Sequence, residues 1–357
     1  VTVSGSVVTL HTYWYWNVFS PPPGPVRATI GKLPEGAYRL DVYAREYLGP
    51  DAAGPEALVA SKSFVVRANP PPCAAETIVA ADPLLHTARV GAPYASVPTL
   101  RALDAHGHPV SGVVINLARF PAIGPTQADF TARPLQVTTG TNGEARLTGL
   151  TANAEPGTFQ YFAWYIYAGE LRSQYFVFSN RTAADALPLV PVVEYFHYGL
   201  AHFFMTANPD EMRALDAHAT AGWFRTGEAF LAFAPGAAGT VAGTVPVCRF
   251  YGRPEAGLDS HFFSASATEC ADVARRFGAS WMLETGNAFA LFLPDAVTGA
   301  CPAATMPLYR GFNNLPDANH RYARSAEGAV NPPAYRIGSP PWTLEGYGPG
   351  VVMCAPT

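Results

Sequence analysis

The sequence feature that most constrains the fold is a pattern that occurs three times in the C-terminal half of the chain. One histidine per copy recurs at an equal interval of 59 residues, at His202, His261 and His320. One tryptophan per copy keeps nearly the same period, at Trp223, Trp281 and Trp342. Such periodicity is typical of one supersecondary unit repeated around an axis or along a line. A catalytic centre needs unlike groups that converge once, so the triplication favours a scaffold or a multi-site binder.

Each repeat is predicted to contain an opening strand, the histidine strand, a helix and a strand that begins near the tryptophan. Capping residues followed by acidic ones indicate helices within residues 206–215 and 264–273. In the third repeat, Asn331-Pro332-Pro333 and Ser339-Pro340-Pro341 stand in the corresponding place. Because proline cannot continue a helix, we expect these segments to replace the third helix and its exit.

The repeat region, residues 190–357, resembles a known three-repeat domain of unknown function. Its motifs are clearest in the second repeat, in Val247-Cys248-Arg249-Phe250-Tyr251, His261-Phe262-Phe263 and Gly286-Asn287-Ala288-Phe289. Domains of this kind are found at the C-termini of secreted bacterial and fungal proteins. The resemblance implies a pseudo-threefold, trefoil-like β-repeat domain with short helices, and it brings no established activity. The histidines and tryptophans of the motif are expected to be structural.

The composition indicates a mainly β protein. The 34 Pro and 32 Gly residues divide the chain into many short segments, as tight turns between strands require. The net charge is −4 without a basic run, so we expect no nucleic-acid partner. An apolar run of about 18 residues is lacking, and we expect no transmembrane segment. The chain opens at Val1 without an initiator Met or a recognisable signal peptide, which is typical of a processed or truncated product.

Four of the five cysteines lie in the repeat region, and this even number favours two disulfides formed in an oxidising compartment. Sequence alone allows three connectivities. We predict Cys248–Cys270, which would tie the opening strand of the second repeat to the segment that follows, and Cys301–Cys354, which would fasten the last strand. Four reduced, buried thiols are the alternative. Cys73 is left over, either free or paired outside this chain.

Two modules precede the repeats. Residues 1–68 are predicted to be a partial immunoglobulin-like β-sandwich, because the turn and alternating strand at 33–43 resemble late strands of bacterial immunoglobulin-like modules. The early strands are missing, so we expect this segment to be unstable as an isolated monomer and to be completed by preceding residues or by strand addition from a neighbouring subunit. Residues 69–74 form a proline-rich linker.

Residues 75–182 resemble an invasin-type immunoglobulin-like domain. The motifs are Asp104-x-x-Gly107-x-Pro109-Val110 and a later segment, 139–145, that contains an Asn-Gly turn favouring a hairpin. Domains of this family usually act as spacers in surface proteins. The resemblance therefore implies reach and stiffness rather than chemistry.

Candidate chemical groups are few. Three neutral imidazoles around an axis would suit a zinc ion, but each repeat histidine lacks a nearby second ligand, so we favour a structural role in which each imidazole bonds a backbone group. We predict no bound metal and no cofactor. The other histidines show no ligand-like spacing; these are His11, His86, His106, His108, His197 and His218. Nucleophile and nucleotide-binding motifs are absent from the sequence, and the nearest carboxylate candidates for glycoside hydrolysis are Asp259, Glu284 and Glu345.

Aromatic residues make up 12% of the chain and are the main candidates for ligand contact. The run Tyr13-Trp14-Tyr15-Trp16 would place two tryptophans on one face of a strand and two tyrosines on the other. One face is expected to be core and the opposite face a binding surface for a sugar or a subunit.

The sequence as a whole predicts a non-catalytic extracellular or cell-surface bacterial protein. The leading hypothesis is adhesion, with the repeat domain recognising a glycan or a surface polymer and the two sandwiches acting as spacers. Two alternatives remain open: a structural subunit of an extracellular fibre or sheath that assembles through the N-terminal module, and an accessory region of a larger secreted hydrolase.

Overall fold

The computed structural model describes residues 2–15, 33–34, 36–47, 53–66, 74–81, 84–120, 127–182, 188–217, 222–331 and 342–357. These residues form mainly β structure, as the composition predicts. The strands belong to several separate sheets, which follow one another along the chain.

The first sheet has four strands in sequential order. They are β1 (Thr2–Ser4), β2 (Val7–Tyr15), β3 (Gly36–Tyr47) and β4 (Ala53–Val66). The β2 and β3 strands are parallel, and the other neighbours are antiparallel. Within this sheet, Val8 and Tyr38 are buried, and the ring of Tyr38 stacks on that of Phe64 at 5.6 Å between centroids.

The described residues of the middle segment form ten strands, two of which are long. They are β5 (Thr77–Ala80), β6 (Leu85–Arg89), β7 (Thr99–Leu103), β8 (Val114–Arg119), β9 (Phe130–Ala132), β10 (Gln136–Thr138), β11 (Glu144–Arg146), β12 (Thr151–Ala152), β13 (Gly157–Tyr167) and β14 (Glu170–Arg181). A five-stranded sheet has the order β10-β8-β13-β14-β6, and a three-stranded sheet has the order β11-β7-β5. Both sheets contribute to one apolar core that includes Leu100, Ile115, Phe159 and Phe178.

The Asn142-Gly143 turn connects two sheets instead of forming the predicted hairpin. The strand before it, β10, pairs with β8, whereas the strand after it, β11, pairs with β7. Gly143 has a φ of +73°, and a Cβ there would lie 2.5 Å from the Cβ of Pro109. The glycine is therefore needed for a close approach between two chain segments and not for a two-residue hairpin loop.

The C-terminal segment repeats one arrangement three times. The first repeat contains β15 (Leu189–His197), β16 (His202–Thr206), α1 (Pro209–Asp216) and β17 (Trp223–Phe233). The second contains β18 (Thr244–Gly252), β19 (His261–Ser264), α2 (Ala267–Phe277) and β20 (Trp281–Phe292). The third contains β21 (Thr305–Phe312), β22 (His320–Ala323), α3 (Ala326–Val330), β23 (Thr343–Glu345) and β24 (Val351–Pro356).

In every repeat the opening strand pairs with its histidine strand on one side and with its closing strand on the other. The closing strands then meet near their C-terminal ends, where Phe233 pairs with Ala290 and Phe292 pairs with Cys354. At the centre, the rings of Phe263 and Tyr322 lie 5.6 Å apart, and the Tyr322 hydroxyl donates to the Phe263 carbonyl at 2.7 Å.

Each helix begins at a capping side chain. Asn208, Ser266 and Ser325 accept a hydrogen bond from a backbone amide of the first turn. The expectation that prolines replace the third helix is wrong for its first turn, because α3 forms and then ends at Val330, just before the Asn331-Pro332 step in sequence. Among the described residues, none of the helices is both long and apolar enough to cross a bilayer.

Two disulfides fasten the repeats, Cys248–Cys270 and Cys301–Cys354. They are the pairs that the sequence predicts. The first joins β18 to α2, and the second joins the segment before β21 to β24. Cys73 lies outside the described residues.

The middle and C-terminal segments contact each other through a polar junction. Arg225 on β17 donates from Nη1 to Oε1 of Gln160 at 2.7 Å, and its Nε and Nη2 bond the two carboxylate oxygens of Asp216 at 2.8 and 2.7 Å. Close by, Arg324 donates to the carbonyl of Thr158 at 3.0 Å. The junction buries polar groups from both segments in mutual hydrogen bonds, so it is a specific contact.

Candidate functional site

The outer surface of the five-stranded sheet carries a group of aromatic side chains. Along β13, Phe159, Tyr161 and Tyr165 are buried in the core. Alternation along a strand therefore places Phe162 and Trp164 on the opposite surface. We call this surface the aromatic face, and it consists of Phe120, Phe162, Trp164 and Tyr175.

Three rings of the aromatic face contact one another. The centroid of Phe120 lies 6.0 Å from that of Phe162 and 5.7 Å from that of Tyr175, and Phe162 lies 6.0 Å from Tyr175. All four side chains are only partly buried. Contacts of this geometry hold the rings in fixed orientations, so the face is a rigid surface rather than a set of independent side chains.

The neighbours of Trp164 are small or polar. On the adjacent strands Trp164 pairs with Asn116 and Ser173, and Phe162 pairs with Ala118. The amide of Gln136 donates to Oδ1 of Asn116 at 2.7 Å, and Nδ2 of Asn116 donates to the Trp164 carbonyl at 3.4 Å, so two amides lie beside the indole. A flat apolar surface with amides along one side offers both stacking and hydrogen bonds to a ligand.

The C-terminal domain borders one end of the aromatic face. The guanidinium of Arg225 lies 4.6 Å from the centroid of Tyr175, and Gln160, the next outward residue of β13, is buried beneath the domain. At the other end Ile166 is 50% exposed. The face is therefore closed at the domain junction and open at the far end of the sheet.

The repeat histidines occupy structural positions. Nδ1 of His202 lies 2.6 Å from the carbonyl oxygen of Asp259, and its Nε2 lies 3.0 Å from Oδ2 of Asp317. The corresponding Nε2 atoms of His261 and His320 lie 3.7 and 3.5 Å from Glu284 and Glu345, respectively. Thus Nε2 of each histidine faces a carboxylate, and His202 also makes the expected contact with a backbone carbonyl through Nδ1.

Burial keeps two of these imidazoles neutral. It lowers the pKa of His261 to about 3, with a further contribution from the Arg249 guanidinium, and it lowers the pKa of His320 to about 3 beside Arg310. Glu284 does not counter this effect on His261, because Nε of Arg249 is closer to the same carboxylate oxygen, at 2.8 Å. The three ring systems do not bring their nitrogens together as a group of metal ligands among the described residues.

The candidate catalytic carboxylates are engaged in contacts between structural groups. Glu284 pairs with Arg249 and Glu345 pairs with Arg310, each at 2.8 Å, and Asp259 accepts a hydrogen bond from the Tyr251 hydroxyl at 2.7 Å. Each arginine also bonds the helix glutamate of the preceding repeat. A carboxylate bonded in this way stabilises its neighbours, and the geometry gives no support to an acid–base pair.

The repeat tryptophans pack against aromatic residues of the repeat core. The indoles of Trp223, Trp281 and Trp342 lie 5.9, 6.1 and 5.9 Å from the rings of Phe204, Phe262 and Phe203. Each is partly buried. This packing agrees with the structural role expected for them.

The N-terminal aromatic run is described only in part. The backbone of Tyr13, Trp14 and Tyr15 belongs to β2 and pairs with residues 45–47 of β3. Trp16 lies outside the described residues, as do the side chains of the other three. Their role as a ligand surface stays a prediction.

The aromatic face is not among the sites predicted from the sequence. The sequence signal that could have revealed it is that residues 158–167 carry aromatic side chains at both odd and even positions. A strand that is aromatic on both faces must either be buried on both sides or expose rings on one. Only the position of the second sheet decides between these outcomes.

The fold and the site define a β-rich protein with a threefold C-terminal repeat. Residues 191–348 match the family model of a domain of unknown function (DUF5648). This match agrees with the predicted domain of unknown function at the C-terminus and extends over no part of the middle segment. No curated protein and no solved structure matches the chain.

Proposed function

We propose that this protein is a non-catalytic, extracellular recognition protein that binds a glycan or a cell-surface polymer through the aromatic face. The observation that carries the proposal is the partly exposed Trp164 beside Phe162, with Asn116 and Ser173 on the flanking strands. Indole and phenyl rings stack on the apolar faces of sugar rings, and adjacent amides can bond their hydroxyl groups.

The binding surface proposed here lies on the middle segment and not on the repeat domain. The histidines, glutamates and tryptophans of the repeats contact each other, as described above. In our proposal the C-terminal domain supports one end of the aromatic face through Arg225. It acts as a scaffold that fixes the orientation of the ligand-binding sheet.

The proposal also includes the location of the protein and the fold classification of its segments. Two disulfides support an oxidising, extracellular environment. An immunoglobulin-like classification of the middle segment is supported by two sheets around one core, and a trefoil-like classification of the last segment is supported by three similar groups of strands within one ten-stranded sheet. We extend the immunoglobulin-like classification to the N-terminal sheet on the resemblance of residues 33–43.

The proposal is tested by glycan-array screening of the whole chain, followed by calorimetric titration of any glycan that binds. W164A and F162A should each weaken binding at least tenfold while leaving the thermal unfolding midpoint nearly unchanged. Y198A is the matched control, because Tyr198 is a 57% exposed aromatic residue on the repeat domain. Absence of glycan binding by the native protein would reject the proposal, and loss of binding in Y198A alone would move the site to the repeat domain.

A fibre or sheath subunit is the second candidate, and one feature of the first sheet favours it. The β4 strand ends the sheet order β1-β2-β3-β4, and it exposes Leu58 by 51% and Val65 by 57%. An exposed apolar strand at a sheet edge can pair with a second chain. Sedimentation velocity over a range of concentrations should then show self-association that V65K abolishes; a monomer at all concentrations would exclude this candidate.

A further inference from the structure

A tight turn after β7 brings two imidazoles and one carboxylate together. The turn is closed by backbone hydrogen bonds from Asp104 N to His108 O at 2.9 Å and from Gly107 N to Asp104 O at 3.0 Å. Gly107 has a φ of +81°, which this turn requires. The side chains of Asp104, His106 and His108 lie on the same side of the turn, and their ligand atoms are all within 4.8 Å of one another.

The Asp104 carboxylate is held in a fixed orientation. Its Oδ1 accepts hydrogen bonds from the backbone amides of His106 at 2.8 Å and of His108 at 2.9 Å. Its Oδ2 faces Nδ1 of His108 at 3.3 Å. Hydrogen bonding lowers the pKa of Asp104, with the backbone amide of His108 as the main cause, so the carboxylate is negative at neutral pH.

The two imidazoles are exposed and adjacent. Their ring centroids lie 6.0 Å apart with an interplanar angle of 27°. Ligand atoms around a cation with bonds of about 2.1 Å lie roughly 3.4 Å apart in a tetrahedral site. Both histidine side chains are at the surface, so rotation about their side-chain bonds can close the remaining distance without disturbing the core.

We infer that Asp104, His106 and His108 form a binding site for a divalent transition-metal ion, for which Zn²⁺ is the best match. Two neutral imidazoles and a carboxylate are a typical ligand set for zinc. Three protein ligands leave a coordination position that water or an oxygen atom of a bound molecule can occupy. The site is distinct from the aromatic face and from the repeat histidines.

The histidines of this turn are among those predicted to have no ligand-like spacing. The available signal was the alternation Asp104-x-His106-x-His108. Alternation in an extended strand would spread the three side chains along one face over a larger distance. The tight turn at Gly107 shortens that distance. The proximity of the three side chains therefore depends on the backbone conformation of the turn.

Titration calorimetry with ZnCl₂ on the whole chain at pH 7.5 tests the inference. We expect saturable binding of one ion, and H106N and H108N should each reduce the affinity at least tenfold, since even loss of a second-shell partner typically costs about 10–100-fold. D104N retains an oxygen that can accept the two amide hydrogen bonds but removes the charge, so it should weaken zinc binding while the turn persists.

Seven other histidines remain in the double variant H106N/H108N, which makes it an internal control for adventitious zinc binding. Zinc binding of unchanged affinity in that variant would place the ion elsewhere and overturn the inference. Lack of saturable binding to the native chain would overturn it as well. Circular dichroism of each variant checks that the fold is retained, which we expect because both imidazoles are exposed.

Discussion

Arg321 and Glu194 form a bidentate ion pair that joins the third repeat to the first. Nε and Nη2 of Arg321 bond the two carboxylate oxygens at 3.0 and 3.1 Å, and the side chains are only 0% and 5% exposed. Nη1 of the same guanidinium donates to the carbonyl of Gly328 in α3 at 2.6 Å. This contact links the end of the repeat array to its beginning.

The other two junctions between repeats use a different arrangement. Arg249 and Arg310 occupy the opening-strand position that Tyr195 has in the first repeat, and they bond the helix glutamates Glu211 and Glu269. In α3 the corresponding helix position is Gly328. The third junction therefore lacks an arginine at this opening-strand position, and its arginine, Arg321, comes from the histidine strand and bonds Glu194 instead.

We predict that E194Q destabilises the protein by about 3–5 kcal/mol, because Arg321 would then be a buried charge without its partner. R321M should cost a similar amount, and the double variant E194M/R321M should recover much of the loss. Urea denaturation followed by tryptophan fluorescence measures these changes. The control is R213A, which removes an exposed pair with Asp210 and should change stability by less than about 1 kcal/mol. Additive losses in the double variant would contradict a direct pair.

The junction between the middle segment and the repeat domain should depend on Arg225. R225L removes the hydrogen bonds to Gln160 and Asp216 while placing an apolar side chain at the buried position. We expect the two segments to unfold at separate temperatures in R225L, whereas the native chain shows one coupled transition. Differential scanning calorimetry distinguishes these cases. L283A, at an exposed position of the second repeat, is the matched control and should leave the coupling unchanged.

The regular features of the fold could be predicted because they depend on local sequence. The histidine strands begin at His202, His261 and His320, and the first two helices begin within the predicted segments and end beyond them, at Asp216 and Phe277. Side-chain capping and strand patterning are short-range effects that a single sequence reveals. The cysteine pairs could be predicted for a similar reason. Each disulfide joins a strand of one repeat either to the helix of that repeat or to the segment that directly precedes it.

The remaining features depend on contacts between distant residues. Whether Phe162 or Tyr161 is buried is decided by where the second sheet packs, and both strand faces look alike in sequence. The role of Glu194 at a repeat junction is apparent only after its partner Arg321, 127 residues away, is known. The Asn142-Gly143 turn is a further example. Its local sequence favours a hairpin, but Gly143 makes a close contact with Pro109, which lies in a distant segment.

The two disulfides should differ in their effect on stability. Cys248–Cys270 closes a separation of 22 residues and Cys301–Cys354 one of 53 residues. Loop-closure entropy then predicts losses of about 3 and about 4 kcal/mol for C248A/C270A and C301A/C354A. Thermal unfolding of the two variants gives the order. EDTA should leave the repeat-domain transition unchanged, because that domain is expected to fold without a metal; a large EDTA effect on it would contradict the structural role of its histidines.

Acidification should destabilise the repeat domain before most carboxylates are protonated. The pKa of His261 and of His320 is about 3 in the folded protein, against an ordinary value of 6.5. Between these values the unfolded chain binds protons that the folded chain excludes, so their contribution is fully present above pH 6.5 and is lost progressively as the pH falls toward 3.

We therefore predict that the free energy of unfolding falls steadily between pH 6.5 and pH 4, and that H261Q/H320Q has a shallower slope although it is less stable at pH 7. Urea denaturation at several pH values in EDTA-containing buffer measures the slope. H106N/H108N is the control, because it removes the same number of histidines from exposed positions and should retain the native slope. Equal slopes in the native chain and H261Q/H320Q would show that these imidazoles are already charged in the folded protein.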